Sequence, residues 1–377
     1  MIRILQINGH AIMNRGVEKY LLDVYKEIDK KHFQFDFMTP LVCQNDDFKA
    51  LVERMGGKII ELNGSDNKIL NKLTPFKIWA YLIKHKYDIV HIHTGNVMLM
   101  GLFAMAAKLA GIKRVLVHAH NSADMKTGLS VKNYKNFFAE ILMTLFCDGY
   151  YGCSLKAVQF MFPKRVFKTN NYSIIPNGIQ VKDYCYSAEK RMKIRTELGL
   201  RKEYLLGCIG AFVDQKNHRF LIEVMRALKD KGCEAKLLLV GEGPLETKIR
   251  DYCEKQGVGN DVIFYGTTNR IPAILSALDV LLMPSLYEGF PVVGVEAQAA
   301  GLRCLLSNHI TSEIKLTDSL IMLSIDSPDA VNLWANCIVS LDINDPDIRV
   351  RINNFIQKSD YQISNSAIKF EHIYRGC

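Results

Sequence analysis

No two of the chain's ten cysteines form a C-x-x-C pair; they are scattered at 43, 147, 153, 185, 208, 233, 253, 304, 337 and 377. That scatter gives no zinc-finger or disulfide pattern and suits reduced thiols used as small apolar residues in a cytosolic protein. Long hydrophobic runs are also missing. The longest, Val97 to Ala107, is eleven residues and ends at Lys108, well short of the roughly 20 residues that span a bilayer. The opening MIRILQINGH reads as a strand and lacks the charged-then-apolar pattern of a secretory signal. Low-complexity tracts are absent, and at 49% hydrophobic and 23% charged residues the composition is that of a folded protein rather than a disordered one.

What the chain does have is length and alternation. Its 377 residues exceed one ordinary core, so two domains are expected. Short β-branched runs alternate with helical periodicity in both halves, the pattern of parallel sheets covered by helices. In the first half, strands are expected at 2–7, 33–38, 58–62, 89–93, 114–118 and 173–175. In the second they are expected at 204–209, 235–240, 262–265, 280–283 and 304–307. The turn tripeptide Pro176-Asn177-Gly178 marks the boundary. This gives a domain over 1–178 and another over 179–359, with a terminal helix at about 360–377 expected to pack back on the first. Two doubly wound domains facing each other would bind ligand in a cleft at the C-terminal ends of their strands.

Charge is uneven. Residues 1–180 hold 24 lysines and arginines against 14 acids, while residues 181–377 hold 24 against 25. A basic half suggests an anionic partner, either a membrane surface, a phosphorylated acceptor or a nucleic acid, although a solvated basic face explains it equally. No nucleic-acid motif accompanies the charge. Between Lys126 and Lys168, basic residues interleave with Tyr134, Phe137, Phe138, Phe160, Phe162 and Phe167, a mixture suited to a membrane interface or to a buried aromatic stripe with a basic edge.

The densest chemistry lies in PSLYEGFPVVGVEAQAAG, residues 284–301. A short strand leads to a loop, and Pro291 is expected as the first helical residue, where its missing N–H costs nothing. The free amides of Val292 and Val293 and the positive end of the helix dipole would then face an anion such as a diphosphate. Glu288 precedes the helix and Glu296 lies inside it, so an acid stands on each side of that site. A diphosphate with hydroxyls on both sides, as in a nucleotide sugar, fits the pattern. An ordinary charge pairing of Glu296 is the plainer alternative.

This segment, with MNRGVEKYL, VHAHNS, IPNGI, GAFVDQKNH, VGEGPLETKI and DVLLMPSLYEGFP, resembles the E-x7-E signature and accompanying motifs of the retaining glycosyltransferases of family 4. The motifs run from residue 13 to 301. The resemblance implies the α/β GT-B fold, two Rossmann-like doubly wound domains with the donor on the second and the acceptor on the first, and no metal or cofactor. By similarity, Glu288 would bond the transferred sugar, with backbone amides from Gly289 and Phe290 onward. Glu296 would bond the donor ribose, and Lys216 would clamp the diphosphate. Asn269 and Arg270 would lie in the base-contacting loop, and His120 would lie beside the donor sugar. Gly16 would let the first loop approach a phosphate.

Two positions depart from the family pattern. Arg15 stands where the first glycine of Gly-Gly-x-Glu is usual, and Ala211 stands where an arginine usually grips the diphosphate. Arg15 is a candidate to supply the lost charge. His91 with His93, and His118 with His120, form H-x-H pairs on neighbouring strands, each pair on one face. They lack carboxylates or cysteines at ligand spacing, so no metal is expected. Asp345-Pro346-Asp347 reads as the turn that starts a helix.

The resulting expectation is a retaining, metal-independent glycosyltransferase of surface polysaccharide synthesis. It would be cytoplasmic, at the inner face of the cell membrane if the basic half docks there, using a nucleotide sugar (a UDP-sugar first) and a glycan or lipid-linked acceptor, with no nucleic acid. A sugar-nucleotide epimerase of the same fold and a non-catalytic nucleotide-sugar-binding protein are the alternatives, and a four-histidine metal hydrolase is a more distant one.

Overall fold

The computed structural model describes residues 1–13, 16–63, 73–120, 134–288, 290–343 and 345–376, without the side chains of 134–136. It divides into two units, Met1–Ile179 with Asp360–Cys377, and Gln180–Ser359.

The first unit is built on seven parallel strands in the order β3-β2-β1-β4-β5-β6-β7. These are β1 (Ile2–Asn8), β2 (Phe33–Thr39), β3 (Ile59–Glu61), β4 (Ile89–His93), β5 (Arg114–Ala119), β6 (Gly149–Gly152) and β7 (Ser173–Ile174). Strands buried on both faces read as near-continuous apolar runs, as the FQFDFMT of β2 does. The chain leaves for the second unit after Ile179 and returns as α15 (Ile363–Arg375). Ile179 and the returning segment are stitched by two backbone bonds, Ile179 N–H to Tyr361 O at 2.8 Å and Ile363 N–H to Ile179 O at 2.9 Å. Phe370 and Tyr374 of α15 join Phe33, Phe35 and Tyr25 in one core.

The second unit repeats the plan with six parallel strands in the order β10-β9-β8-β11-β12-β13. They are β8 (Tyr204–Ile209), β9 (Ala235–Val240), β10 (Val262–Gly266), β11 (Val280–Met283), β12 (Arg303–Ser307) and β13 (Leu320–Leu323). Its core gathers around α9 (His218–Asp230) and Trp334. In each unit the first strand has the second on one side and the fourth on the other. The order therefore reverses between β1 and β4, and again between β8 and β11, the crevice where such sheets bind ligands.

Two strands lie outside the expected set. β6 reads GYYG, only four residues with a glycine at each end, and the β13 segment LIML is a short edge strand. Pro291 is also corrected. It has an extended backbone, φ −74° and ψ 106°, and stands just before α12 (Val292–Ala299) rather than inside it. The helix ends as expected at Gly301, whose φ of +63° suits glycine. A Cβ there would lie 2.4 Å from the Cα of Arg349, so both backbone conformation and space require glycine. Asp345 does cap α14 (Pro346–Ile356), its side chain accepting from Ile348 N–H at 2.8 Å.

Candidate functional site

In the second unit the loops at the β8/β11 switch point are sewn together. Gly241 has φ +141°, and a Cβ on it would come within 2.2 Å of Gly210 O, so the ends of β8 and β9 touch through bare backbone. Leu286 N–H donates to Gln215 O at 2.9 Å, Asn217 Nδ2 to Pro284 O at 3.3 Å, and Gln215 Nε2 to Tyr287 O at 2.9 Å. His309 braces the same loop. Its Nδ1 meets Leu286 O at 2.9 Å and its Nε2 meets Asp326 at 2.7 Å, and Asp326 raises its pKa by holding the charged ring. With an acceptor at each nitrogen, only the doubly protonated imidazole satisfies both.

These braces fix Glu288. Lys216 Nζ donates to Glu288 Oε1 at 2.6 Å, and Gln215 Nε2 to Oε2 at 3.2 Å. Both members of the ion pair are largely withdrawn from solvent, at 17% and 9% side-chain exposure. Lys216, expected to clamp a phosphate, thus holds the acid that flanks it. One ammonium has three donors, so the pair leaves capacity for an anion. Close by in sequence, α12 begins at Val292, and Pro291 offers its start no side-chain cap. The rule for helix starts leaves the Val292 and Val293 amides without intrahelical acceptors. Phe290 is buried.

Glu296 is also buried, and Tyr184 donates its hydroxyl to Oε1. Tyr184, a neutral phenol, is thus one partner that orients the Glu296 carboxylate. Arg270 is likewise spoken for. Its guanidinium makes a fork to both oxygens of Glu197, each at 3.0 Å. It stands immediately before α11 (Ile271–Ala277), beside exposed Asn269. Ala211 is exposed on the β8 loop.

In the first unit, Gly16 opens α1 (Gly16–Glu27) and is exposed. Arg15 and Gly289 lie outside the described residues. His120 sits just past β5, 8% exposed. Its Nε2 meets His93 Nδ1 at 2.9 Å, and its Nδ1 meets Asn177 Oδ1 at 3.1 Å. Burial lowers its pKa to about 4, with Asn177 opposing. Burial also pushes His91, His93 and His118 well below the ordinary imidazole value, aided by the neighbouring rings. His91, His93 and His118 each bring a ring nitrogen within 4.8 Å of the others, the spacing at which a cation could be held. His93, however, already spends both nitrogens, on His120 and on Gln6 Oε1 at 2.8 Å.

Sequence reasoning singled out Glu288, Lys216, Glu296 and His120 as site residues but not Gln215, Tyr184 or Asn177, which contact them, or Gln6, which meets His93 behind His120. Gln215 could have been found as the neighbour of Lys216. Tyr184, 112 residues from Glu296, leaves no sequence signal.

Two parallel sheets whose strand order reverses, with an acid–lysine pair at one switch point, define a doubly wound two-unit α/β fold, and comparisons narrow it further. "Glycosyl transferases group 1" matches residues 190–316, and "Glycosyltransferase Family 4" matches residues 14–183. The putative glycosyltransferase EpsF of Bacillus subtilis is 32% identical over 338 residues, covering 86% of this chain and 84% of its own. An Escherichia coli UDP-Gal:alpha-D-GlcNAc-diphosphoundecaprenol alpha-1,3-galactosyltransferase is 28% identical over 240 residues, 61% of this chain and 60% of its own. The crystal structure of Anabaena HepE with UDP superposes over all of both chains at TM-score 0.79 and 16% identity. WaaG, a glycosyltransferase of lipopolysaccharide biosynthesis, does so over 99% of this chain and 100% of its own at TM-score 0.74 and 17% identity. The chain belongs to the group 1, family 4 glycosyltransferases and has their GT-B fold.

Proposed function

We propose that the chain is a retaining, metal-independent glycosyltransferase that moves a hexose or N-acetylhexosamine from a UDP-sugar to a lipid-linked glycan in surface polysaccharide synthesis. The observation that carries this reading is the Lys216–Glu288 pair beside the uncapped start of α12. In this reading the Lys216 cation, the amides of Val292 and Val293 and the helix dipole serve one anion site, with Glu288 at its edge. A UDP donor is supported by the E. coli relative's name and by HepE structures with UDP and UDP-glucose.

In this reading Glu288, fixed by Lys216 and Gln215, accepts hydrogen bonds from the transferred sugar. Lys216 and the amides of Val292 and Val293 carry the charge that grows on the leaving diphosphate, and Phe290 helps pack this end. Glu296, oriented by Tyr184, bonds the ribose, while Gly289, Asn269 and Arg270 border the nucleotide. On the first unit, His120 meets the donor sugar, and Gly16 with Arg15 approaches the phosphate. The departing phosphate takes the acceptor's proton on the same face, so the chain supplies orientation and charge rather than a nucleophile. No cofactor takes part.

The acceptor belongs to the first unit, whose basic excess and exposed apolar residues suit a lipid-linked substrate at a cytoplasmic membrane face. On α5 (Tyr134–Phe146), Phe137, Ile141 and Leu145 are exposed at helical spacing, with Phe138 beside them. Among the described residues no helix is long and apolar enough to cross a membrane.

The test is a thermal-shift panel of UDP-, GDP- and ADP-sugars followed by product analysis. UDP-sugars should raise the melting temperature, and transfer or slow donor hydrolysis should vanish in Glu288→Ala. A donor isomer formed without acceptor, or no response to any nucleotide sugar, would overturn the reading.

A further inference from the structure

His120 belongs to a longer buried hydrogen-bond chain, all of it within the first unit. Gln6 of β1 joins Tyr374 of α15 through Nε2 and the phenol oxygen at 2.9 Å, and its Oε1 meets His93 Nε2 at 2.8 Å. His93 Nδ1 meets His120 Nε2 at 2.9 Å, and His120 Nδ1 meets Asn177 Oδ1 at 3.1 Å. Beyond Tyr374, the same hydroxyl meets His91 Nδ1 at 2.9 Å. Every member is buried.

Counting protons along the chain gives it a direction. With amide oxygens at both ends, the three contacts of His93 and His120 need three protons, whereas two neutral imidazoles carry two. Burial holds both rings neutral, so one amide must present nitrogen instead of oxygen. A Gln6 turned end for end keeps all its bonds, because the Tyr374 hydroxyl can accept or donate. Tyr374 then donates to Gln6 Oε1, Gln6 Nε2–H to His93 Nε2, His93 Nδ1–H to His120 Nε2, and His120 Nδ1–H to Asn177 Oδ1. His91 Nδ1–H donates to the Tyr374 oxygen, leaving a bare nitrogen at His91 Nε2, which meets no polar partner among the described residues. Turning Asn177 instead runs the chain backwards and leaves His91 with a buried, unpaired N–H, the costlier orphan.

We infer that His93, backed by Gln6 and Tyr374, is a positioning residue that fixes His120 as the Nδ1–H tautomer, so that His120 offers a hydrogen-bond donor to a hydroxyl oxygen of the sugar that displaces Asn177. This rests on the role given to His120 above. It also gives the terminal helix a part in the site, since Tyr374 ends the chain that orients the histidine.

The test is a long-range proton–nitrogen correlation spectrum of the full-length protein labelled with ¹⁵N-histidine, which reads the tautomer without turnover. Wild type should show His120 protonated at Nδ1. His93→Asp, whose carboxylate can only accept at that position, should put a proton on His120 Nε2 and lower kcat tenfold or more with KM changed less than threefold. His93→Asn, whose amide nitrogen reaches the Nδ1 position, should restore both. His120 protonated at Nε2 in wild type, or a protonation unmoved by His93→Asp, overturns the inference, and the wild-type spectrum decides even where a variant fails to fold. If the tautomer moves as expected while kcat does not, the positioning stands and the role of His120 in the reaction falls.

Discussion

Acid should unfold the first unit before the second. Its histidine layer is buried and neutral, so the folded chain resists protons that the unfolded chain accepts. His120 falls from an ordinary 6.5 to about 4. Stability is therefore intact above pH 6.5 and is lost as pH falls toward 4. From pH 6.5 to 5, at about 1.4 kcal/mol per pH unit, His120 alone removes about 2 kcal/mol. His91, His93 and His118 push the same way. In the second unit His218 is also lowered to about 4, by burial and then by Lys216, whereas His309 is raised and gains from acid. The His120 and His218 losses offset each other, so the difference between the units comes from His91, His93 and His118 on one side and His309 on the other. The chain's two tryptophans report on them separately, Trp79 in the first unit and Trp334 in the second. Urea titrations of Trp334→Phe, followed by Trp79 fluorescence, should show the midpoint falling steeply between pH 7 and 5. Trp79→Phe, read through Trp334, should show a smaller fall. A Trp79 midpoint that stays constant over that range would refute a neutral buried histidine layer.

Tyr184→Phe removes the hydroxyl donated to buried Glu296, and should cost about 1.5 kcal/mol in denaturant unfolding of the second unit and weaken UDP binding; no change in either would separate Glu296 from the site. Gly301→Ala forces a side chain into a positive φ and against the Arg349 backbone. It should lower second-unit stability by at least about 2 kcal/mol, measured by urea titration. Replacing Phe137 and Leu145 together with serine should abolish co-sedimentation with anionic phospholipid vesicles while leaving donor binding intact; retained sedimentation would move the membrane face elsewhere.

Much of this architecture was legible because buried parallel strands announce themselves. β4, β8, β9 and β11 fall where their apolar runs predict. β6 escaped because it is only four residues long and a glycine stands at each end, and β13 because an edge strand needs only a few apolar residues after a loop. At the site, residue types were legible and pairings were not. Glu288 and Lys216 stand out by their motifs, but at a sequence separation of 72 they close into an ion pair only through the parallel β8/β11 register. The departure at Ala211 pointed toward a missing cation. The structure shows instead that the remaining lysine is anchored by the very acid it would work beside, a distinction no spacing rule contains.

The most direct measurement is calorimetric titration of UDP, and of uridine alone, into the wild-type chain and Lys216→Ala. If the start of α12 and Lys216 hold a diphosphate, UDP should bind at least about tenfold tighter than uridine, with most of that advantage lost in the variant. Equal binding of UDP and uridine, or wild-type UDP affinity in Lys216→Ala, would contradict the account.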